Sequence, residues 1–269
     1  MFLRRMRSGL VAGIVFFPLC VPLRIMNGML VLLRKEVGAF FNSLMGYMVL
    51  VVFLVASGLF FWVFPDNLLE TGAANLDSLF SIAPFLLLFL VPAITMRAFS
   101  EEFKTGTIEY LATKPLRDMQ IILGKYLAAV VLVVLSLLPT LVYYASVYYL
   151  AEPVGNLDKG ATWGAYLGLL GVGAVFAAIG IWCSTLSDNQ IVAFVVAVFF
   201  CFFFYTGFDL IADLQLFGAL NVFVLQLGVL AHYQSISRGV LDVRDVLYFA
   251  SVILLFVLLS RAQLAARKR

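Results

Sequence analysis

The chain has 269 residues, 64% hydrophobic and only 12% charged, with 26 phenylalanines and a net charge of +3; an average soluble domain carries roughly twice that share of charge. Several apolar runs approach or exceed the ~18–20 residues that cross a bilayer as helix, and they are too long and too unbroken for the alternating strands of a membrane barrel. This composition excludes a soluble globular domain and predicts an all-α, polytopic membrane protein, whose basic excess serves topology and does not point to nucleic acid.

Residues 1–28 read as an uncertain N-terminal extension. Arg4, Arg5 and Arg7 precede an apolar run over 10–23 that Pro18 and Pro22 interrupt and Arg24 closes. Fourteen residues are too few for a span, and the pattern is closer to a signal-like segment. Cleavage there would leave Arg34 and Lys35 outside, against the positive-inside trend. The preferred expectation is a start at Met26 or Met29; a short interfacial extension is the alternative. Residues 29–264 form the single membrane domain and 265–269 a basic tail.

Over 29–44, Arg34, Lys35 and Glu36 alternate with apolar residues at helical spacing. This predicts an amphipathic helix lying along the inner interface and feeding the first span. Spans are expected at 46–64, 79–96, 126–150, 164–186, 191–208 and 246–260. Pro84 and Pro92 should kink the second and Pro139 interrupts the third, which ends in a belt of Tyr143, Tyr144, Tyr148 and Tyr149. In the fourth, Gly164, Gly168 and Gly171 are expected to let neighbouring backbones approach; Gly164 and Gly168 have the small-xxx-small spacing of helix contacts in lipid.

Residues 214–231 are apolar enough to suggest a further span, though Gln215, Asn221 and Gln226 interrupt them. A seventh span would place one basic terminus outside. With six, 15 of the 18 Lys and Arg residues face the cytoplasm, and only Lys159, Arg238 and Arg244 face out, with nine acids on the outer side. That bias predicts both termini in the cytoplasm and a broken, partly inserted outer segment at 214–231, packed on protein.

The five spans within 46–208 contain no Asp, Glu, Lys, Arg or His, which argues against an ion-coupled transporter. Cys20, Cys183 and Cys201 sit in apolar context without metal-ligand spacing, and no Gly-rich run ends in Gly-Lys-Ser/Thr. Neither a metal, nor a cofactor, nor a nucleotide is therefore expected on this chain, and no catalytic constellation is visible. His232, the one histidine, reads as a local hydrogen-bonding residue near the outer interface.

One long polar run remains, 97–125, RAFSEEFKTGTIEYLATKPLRDMQIILGK. Glu101, Glu102 and Lys104 supply a charged turn, Gly106 permits a sharp change of direction, Thr107 can cap a helical segment over 107–112, and Pro115 starts a new turn. Such a helix–corner–helix unit at the membrane face suits docking of a soluble motor; an ordinary solvated loop is the alternative.

This run closely resembles the signature of ABC-2 type ABC transporter permeases, E-E-x-x-x-G-T-x-E-x-L-x-x-x-P followed by Gly-Lys. Glu101, Glu102, Gly106, Thr107, Glu109, Leu111, Pro115, Gly124 and Lys125 occupy those places. Residues 232–249, HYQSISRGVLDVRDVLYF, look like the outer segment before the last span in the gliding-motility-associated permeases, relatives of the copper-site maturation permeases of nitrous oxide respiration. The resemblance implies six helices, an amphipathic elbow, re-entrant outer helices between spans five and six, and a coupling helix entering a groove on a separate ATPase, which would hold ATP and Mg. It further implies a second permease subunit, identical or paralogous, in a bacterial inner membrane. The expected function is a permease subunit coupling that ATPase to export or mechanical work. The alternative is a non-transporting anchor or transducer, passing ATPase motion to an outer partner.

Overall fold

A computed structural model describes residues 28–64, 75–107, 118–214 and 221–267. Among them there are helices and turns but no strand. Helix α1 (Gly28–Phe41) leads through a corner at Ser43 into α2 (Leu44–Trp62). The corner is fixed locally: Ser43 Oγ accepts from Gly46 N at 3.1 Å and donates to Phe40 O at 3.0 Å, satisfying a backbone donor that the start of a helix otherwise leaves free.

Helix α3 (Asp77–Thr95) runs continuously through Pro84 and Pro92, and the chain turns at Met96 into the short α4 (Arg97–Thr105). Thr95 Oγ1 donates to Val91 O at 2.9 Å, near Pro92, which cannot donate a backbone hydrogen bond of its own. The third span combines α5 (Asp118–Leu137) with α6 (Leu141–Leu150), joined at Pro139 by a 3-10 turn over Leu138–Thr140. Next come α7 (Lys159–Leu186), α8 (Gln190–Phe202), a π-helical turn over Phe203–Gly207, and α9 (Phe208–Asp213). Two short helices, α10 (Asn221–Leu225) and α11 (Val229–Ser237), precede the long α12 (Val243–Arg267).

Among the described residues, six stretches are long and apolar enough to cross a membrane: Leu44–Trp62, Asp77–Thr105, Asp118–Leu150, Lys159–Leu186, Gln190–Asp213 and Val243–Arg267. The expectation of six spans therefore holds. In the region read as a broken segment, 214–231, the described residues form α10, the turn after it and the start of α11, with 215–220 outside the described residues.

Helix α7 is the hub. It packs against α3, α4, α5, α8, α11 and α12, and Val172, Val175, Phe176, Ala177, Ala178 and Ile179 are fully buried. A helix apolar on every side is stable only where other helices or lipid surround it. By contrast α2 and α8 leave wide apolar faces uncovered, with Val52, Val55, Val195 and Phe199 all more than half exposed, as suits helices at the edge of a bundle facing hydrocarbon.

The two ends of the bundle differ. At one, α1, α4, the start of α5, the link between α7 and α8, and the end of α12 meet. There Arg267 Nη1 bonds Asp188 Oδ1 at 2.5 Å and its guanidinium lies 4.3 Å from the Phe103 ring centroid. The described chain thus ends beside α4, while its first residues lie beside α5, where Met29 O approaches Gly124. At the opposite end α11 rests on the first turns of α7 and on α12.

Candidate functional site

The sequence RAFSEEFKT of α4 places Phe99, Ser100 and Glu102 on one side and Glu101, Lys104 and Thr105 on the other, because residues three apart share a helix face. Phe99 is fully buried, and Ser100 Oγ donates to Ser184 O at 3.1 Å, tying α4 to the end of α7. The helix ends at Gly106, in the left-handed region at φ +70°. Nothing lies within 4 Å of where its Cβ would be, so backbone conformation alone selects glycine there.

Behind α4 stands a buried ion cluster. Lys125, about two turns into α5, has a side chain 1% exposed. Its Nζ donates to Glu36 Oε1 of α1 at 2.9 Å, to Glu102 Oε1 of α4 at 2.8 Å and to Ala98 O at 2.6 Å. It also lies 5.1 Å from the Phe99 ring centroid. All three ammonium protons are thereby used. Taking an ammonium out of water costs several kcal/mol, and close, hydrogen-bonded carboxylates offset that cost. Beside it Gly124 makes room for α1, since a Cβ there would sit 3.1 Å from Leu32 Cδ2 and 3.2 Å from Met29 O. The Gly-Lys pair therefore has a physical reading: the glycine admits helix α1 and the lysine holds it.

A cleft of about 280 Å³ opens beside the cluster, bordered by Glu36, Phe40, Ser43, Arg97 and Glu101. Arg97, on its border, donates from Nη2 to Met45 Sδ at 2.6 Å.

The sequence-predicted residues separate here. Glu101, Gly106 and Thr107 are exposed at the end of α4. Glu102, read from the sequence as part of a charged turn on the docking face, is turned inward and paired to Lys125, because it shares the buried face of Phe99. Glu109 and Pro115 lie outside the described residues, as do Leu111, Lys114 and Arg117. Of the glycines, Gly164 abuts the backbone of Ile236 and Gly239 at the end of α11, Gly168 the Tyr233 ring, and Gly171 the Phe249 ring of α12. Glu36 carried no sequence-level signal beyond being an acid in an amphipathic helix. Its partner is 89 residues away.

A sequence model described as ABC-2 family transporter protein matches residues 70–260, more than two-thirds of the chain. The chain belongs to the ABC-2 transporter family. No curated protein matches it. As an ABC-2 chain it is a multi-pass membrane component of an ABC transporter, a class that associates with an ABC ATPase subunit and is not itself catalytic. The matched range contains α4, Gly106 and Lys125 and begins after Glu36. The third member of the ion cluster thus comes from the part of this ABC-2 chain that precedes the family match.

Proposed function

We propose that this chain is the permease subunit through which a separate ATPase drives export or mechanical work across a bacterial inner membrane, with α4 and the corner at Gly106 as the docking element. The observation that carries this reading is the Lys125 cluster. One ammonium joins α4 to α1 and α5, so a push on α4 is passed to an interfacial helix and to a span together. In this reading α1 is the elbow along the inner membrane surface, α10 and α11 form the re-entrant outer segment, and both termini are cytoplasmic. The open apolar faces of α2 and α8 meet lipid or a second permease subunit, identical or paralogous. ATP and Mg reside on the ATPase.

The experiment is coexpression with the complex's ATPase, followed by copurification and ATPase assay in lipid. Glu101→Lys reverses an exposed charge on the docking face; exposed pairs are worth only about 0–1 kcal/mol, so copurification should weaken modestly. Gly106→Pro imposes φ near −65° where the chain has +70° and removes the Gly106 N–H bonded to Phe103 O. It should uncouple the ATPase or abolish the complex while the spans remain inserted. A normal, coupled complex with both variants rejects the docking role.

Sidedness is tested separately. In a background without the native cysteines, single cysteines at exposed Asp158 and Asp242 should react with an impermeant thiol reagent in intact cells, and one at exposed Lys104 should not. Labelling at 104 would invert the topology.

Residues 232–249 support the more specific placement among gliding-motility-type permeases, in which the second permease-like partner would carry a large outer domain. Copurification of such a partner favours transduction of force. An ATPase and identical permease copies alone favour export.

A further inference from the structure

The chain has one histidine, and nothing in the coupling role uses it. His232 sits on α11 with its side chain 14% exposed. Its Nε2 is 2.9 Å from Gln226 O, its Nδ1 is 2.7 Å from Asp245 Oδ1 in the first turn of α12, and its ring stacks on Tyr248 with centroids 3.9 Å apart.

A carbonyl oxygen only accepts, so Nε2 must carry hydrogen toward Gln226. The 2.7 Å contact to Asp245 also needs a proton, carried by Nδ1 or by the carboxyl. A neutral ring facing an ionised Asp245 has one N–H and can serve only one of its two partners. Asp245 is 5% exposed, and its other oxygen, Oδ2, is buried without a hydrogen-bond partner, so an ionised form depends on His232 for compensation. The surroundings supply little else. Asp209 of α9 lies close by: a Cβ on Gly228 would be 3.2 Å from its Oδ2. Tyr248 of α12 donates to Leu227 O at 2.6 Å. Tyr205 of the π turn and Tyr233 of α11 stay buried, and burial pushes the Tyr233 hydroxyl well above its ordinary range. Arg238 and Arg244 are exposed, and α7 has no charged residue after Lys159.

We propose that His232 and Asp245 form a proton-binding site that clasps the α10–α11 corner to the start of α12. The bound proton closes both contacts at once. When it leaves, one contact opens, and because the closed form holds one proton more than the open form, rising pH favours opening. The clasped helix also carries Tyr233, whose hydroxyl donates to Phe80 O of α3 at 2.7 Å. The same helix lines, through Leu230, Tyr233, Gln234 and Ser237, a cavity of about 500 Å³ shared with Phe80 and Thr162. The proton shared by His232 and Asp245 therefore sets how firmly this end of the bundle is covered, whichever side of the membrane it faces.

A single histidine makes the test direct. The full chain, purified without a polyhistidine tag and labelled with 15N-histidine in lipid nanodiscs, gives one imidazole to follow between about pH 5 and about pH 8, the range in which histidines change charge. Amide exchange of residues 229–237 is followed in parallel. In the wild type the shared proton should leave in one step, with protection of 229–237 falling on the order of tenfold in that step, as loss of a charge-assisted bond implies. In His232→Gln, which cannot take the extra proton, exchange should follow only the smooth intrinsic base dependence. In Asp245→Asn the ring still titrates, but protection should no longer follow it. Wild-type imidazole 15N shifts that stay constant over this range, or protection indifferent to their change, overturn the proposal.

Discussion

Replacing Lys125 by methionine is expected to destabilise the bundle by about 3–5 kcal/mol, the usual cost of removing one partner from a buried ion cluster. Methionine keeps the unbranched stem, so packing changes little and the loss is electrostatic. Glu36 Oε1 and Glu102 Oε1 would lose the ammonium at 2.9 and 2.8 Å. The orphaned carboxylates would then face each other across the same gap, and Glu102 Oε2 is already buried without a partner. Glu102→Gln alone should be much milder, since Lys125 keeps Glu36 and Ala98 O. The triple change Glu36→Met, Glu102→Met, Lys125→Met should recover most of the lost stability, because replacing a whole buried ion cluster by apolar side chains of similar volume is often neutral or better. Denaturant unfolding in mixed micelles ranks the three. Stability of Lys125→Met equal to the wild type would show that the cluster is not closed as described. The triple variant also separates folding from coupling: restored stability with an ATPase still uncoupled assigns the mechanical link to the ions themselves.

The layout of spans was legible because apolar length is a one-dimensional signal. Their limits were less so, since a helix continues past hydrocarbon as long as its ends are satisfied. The fourth span, expected from 164, begins at Lys159 because Asp158 Oδ1 accepts from Ala161 N at 3.0 Å and caps it. The last, expected over 246–260, runs from Val243 to Arg267, its final turn held by the Arg267 contacts to Asp188 and Leu186 O. The candidate site was half legible. Gly106 could be read from turn chemistry, and its φ of +70° is what a reversal at that point requires. The inward turn of Glu102 could not, because two adjacent glutamates give no sign of which faces the bundle until the direction of α4 is fixed. Gly124 and Lys125 entered through a resemblance only, and Glu36 not at all. Pairings across 23 and 89 residues depend on how helices cross, which periodicity within one helix does not encode.

Gly164→Ala is expected to be the most damaging of the three glycine changes in α7, at the upper end of the roughly 1–3 kcal/mol that overpacking costs. The added Cβ would meet backbone: Gly239 Cα at 2.9 Å and Gly239 N at 3.1 Å, with Ile236 O closer still. Backbone cannot swing aside as a side chain can. Gly239 is itself pinned, at φ +83°, and a Cβ on it would lie 2.9 Å from Gly160 C. Gly239 thus packs on the backbone of the first turns of α7, and neither it nor Gly164 can accept a methyl. At Gly168 the obstacle is the edge of the Tyr233 ring, 2.9 Å from the Cβ position. That ring is anchored through its hydroxyl to Phe80 O, so Gly168→Leu should dislodge it and alanine should cost less. At Gly171 the nearest atoms belong to Phe249 at 3.4 Å, an ordinary contact, and alanine should be tolerated. The damage should also be local. Gly164→Ala should strip exchange protection from residues 229–237 while the lower half of α7, around Phe176 and Ile179, keeps it, because the clash lies only at the end where α11 rests. Equal stability and equal protection for Gly164→Ala and Gly171→Ala would mean that α11 does not sit against the first turns of α7, and the close backbone contact would have to be abandoned.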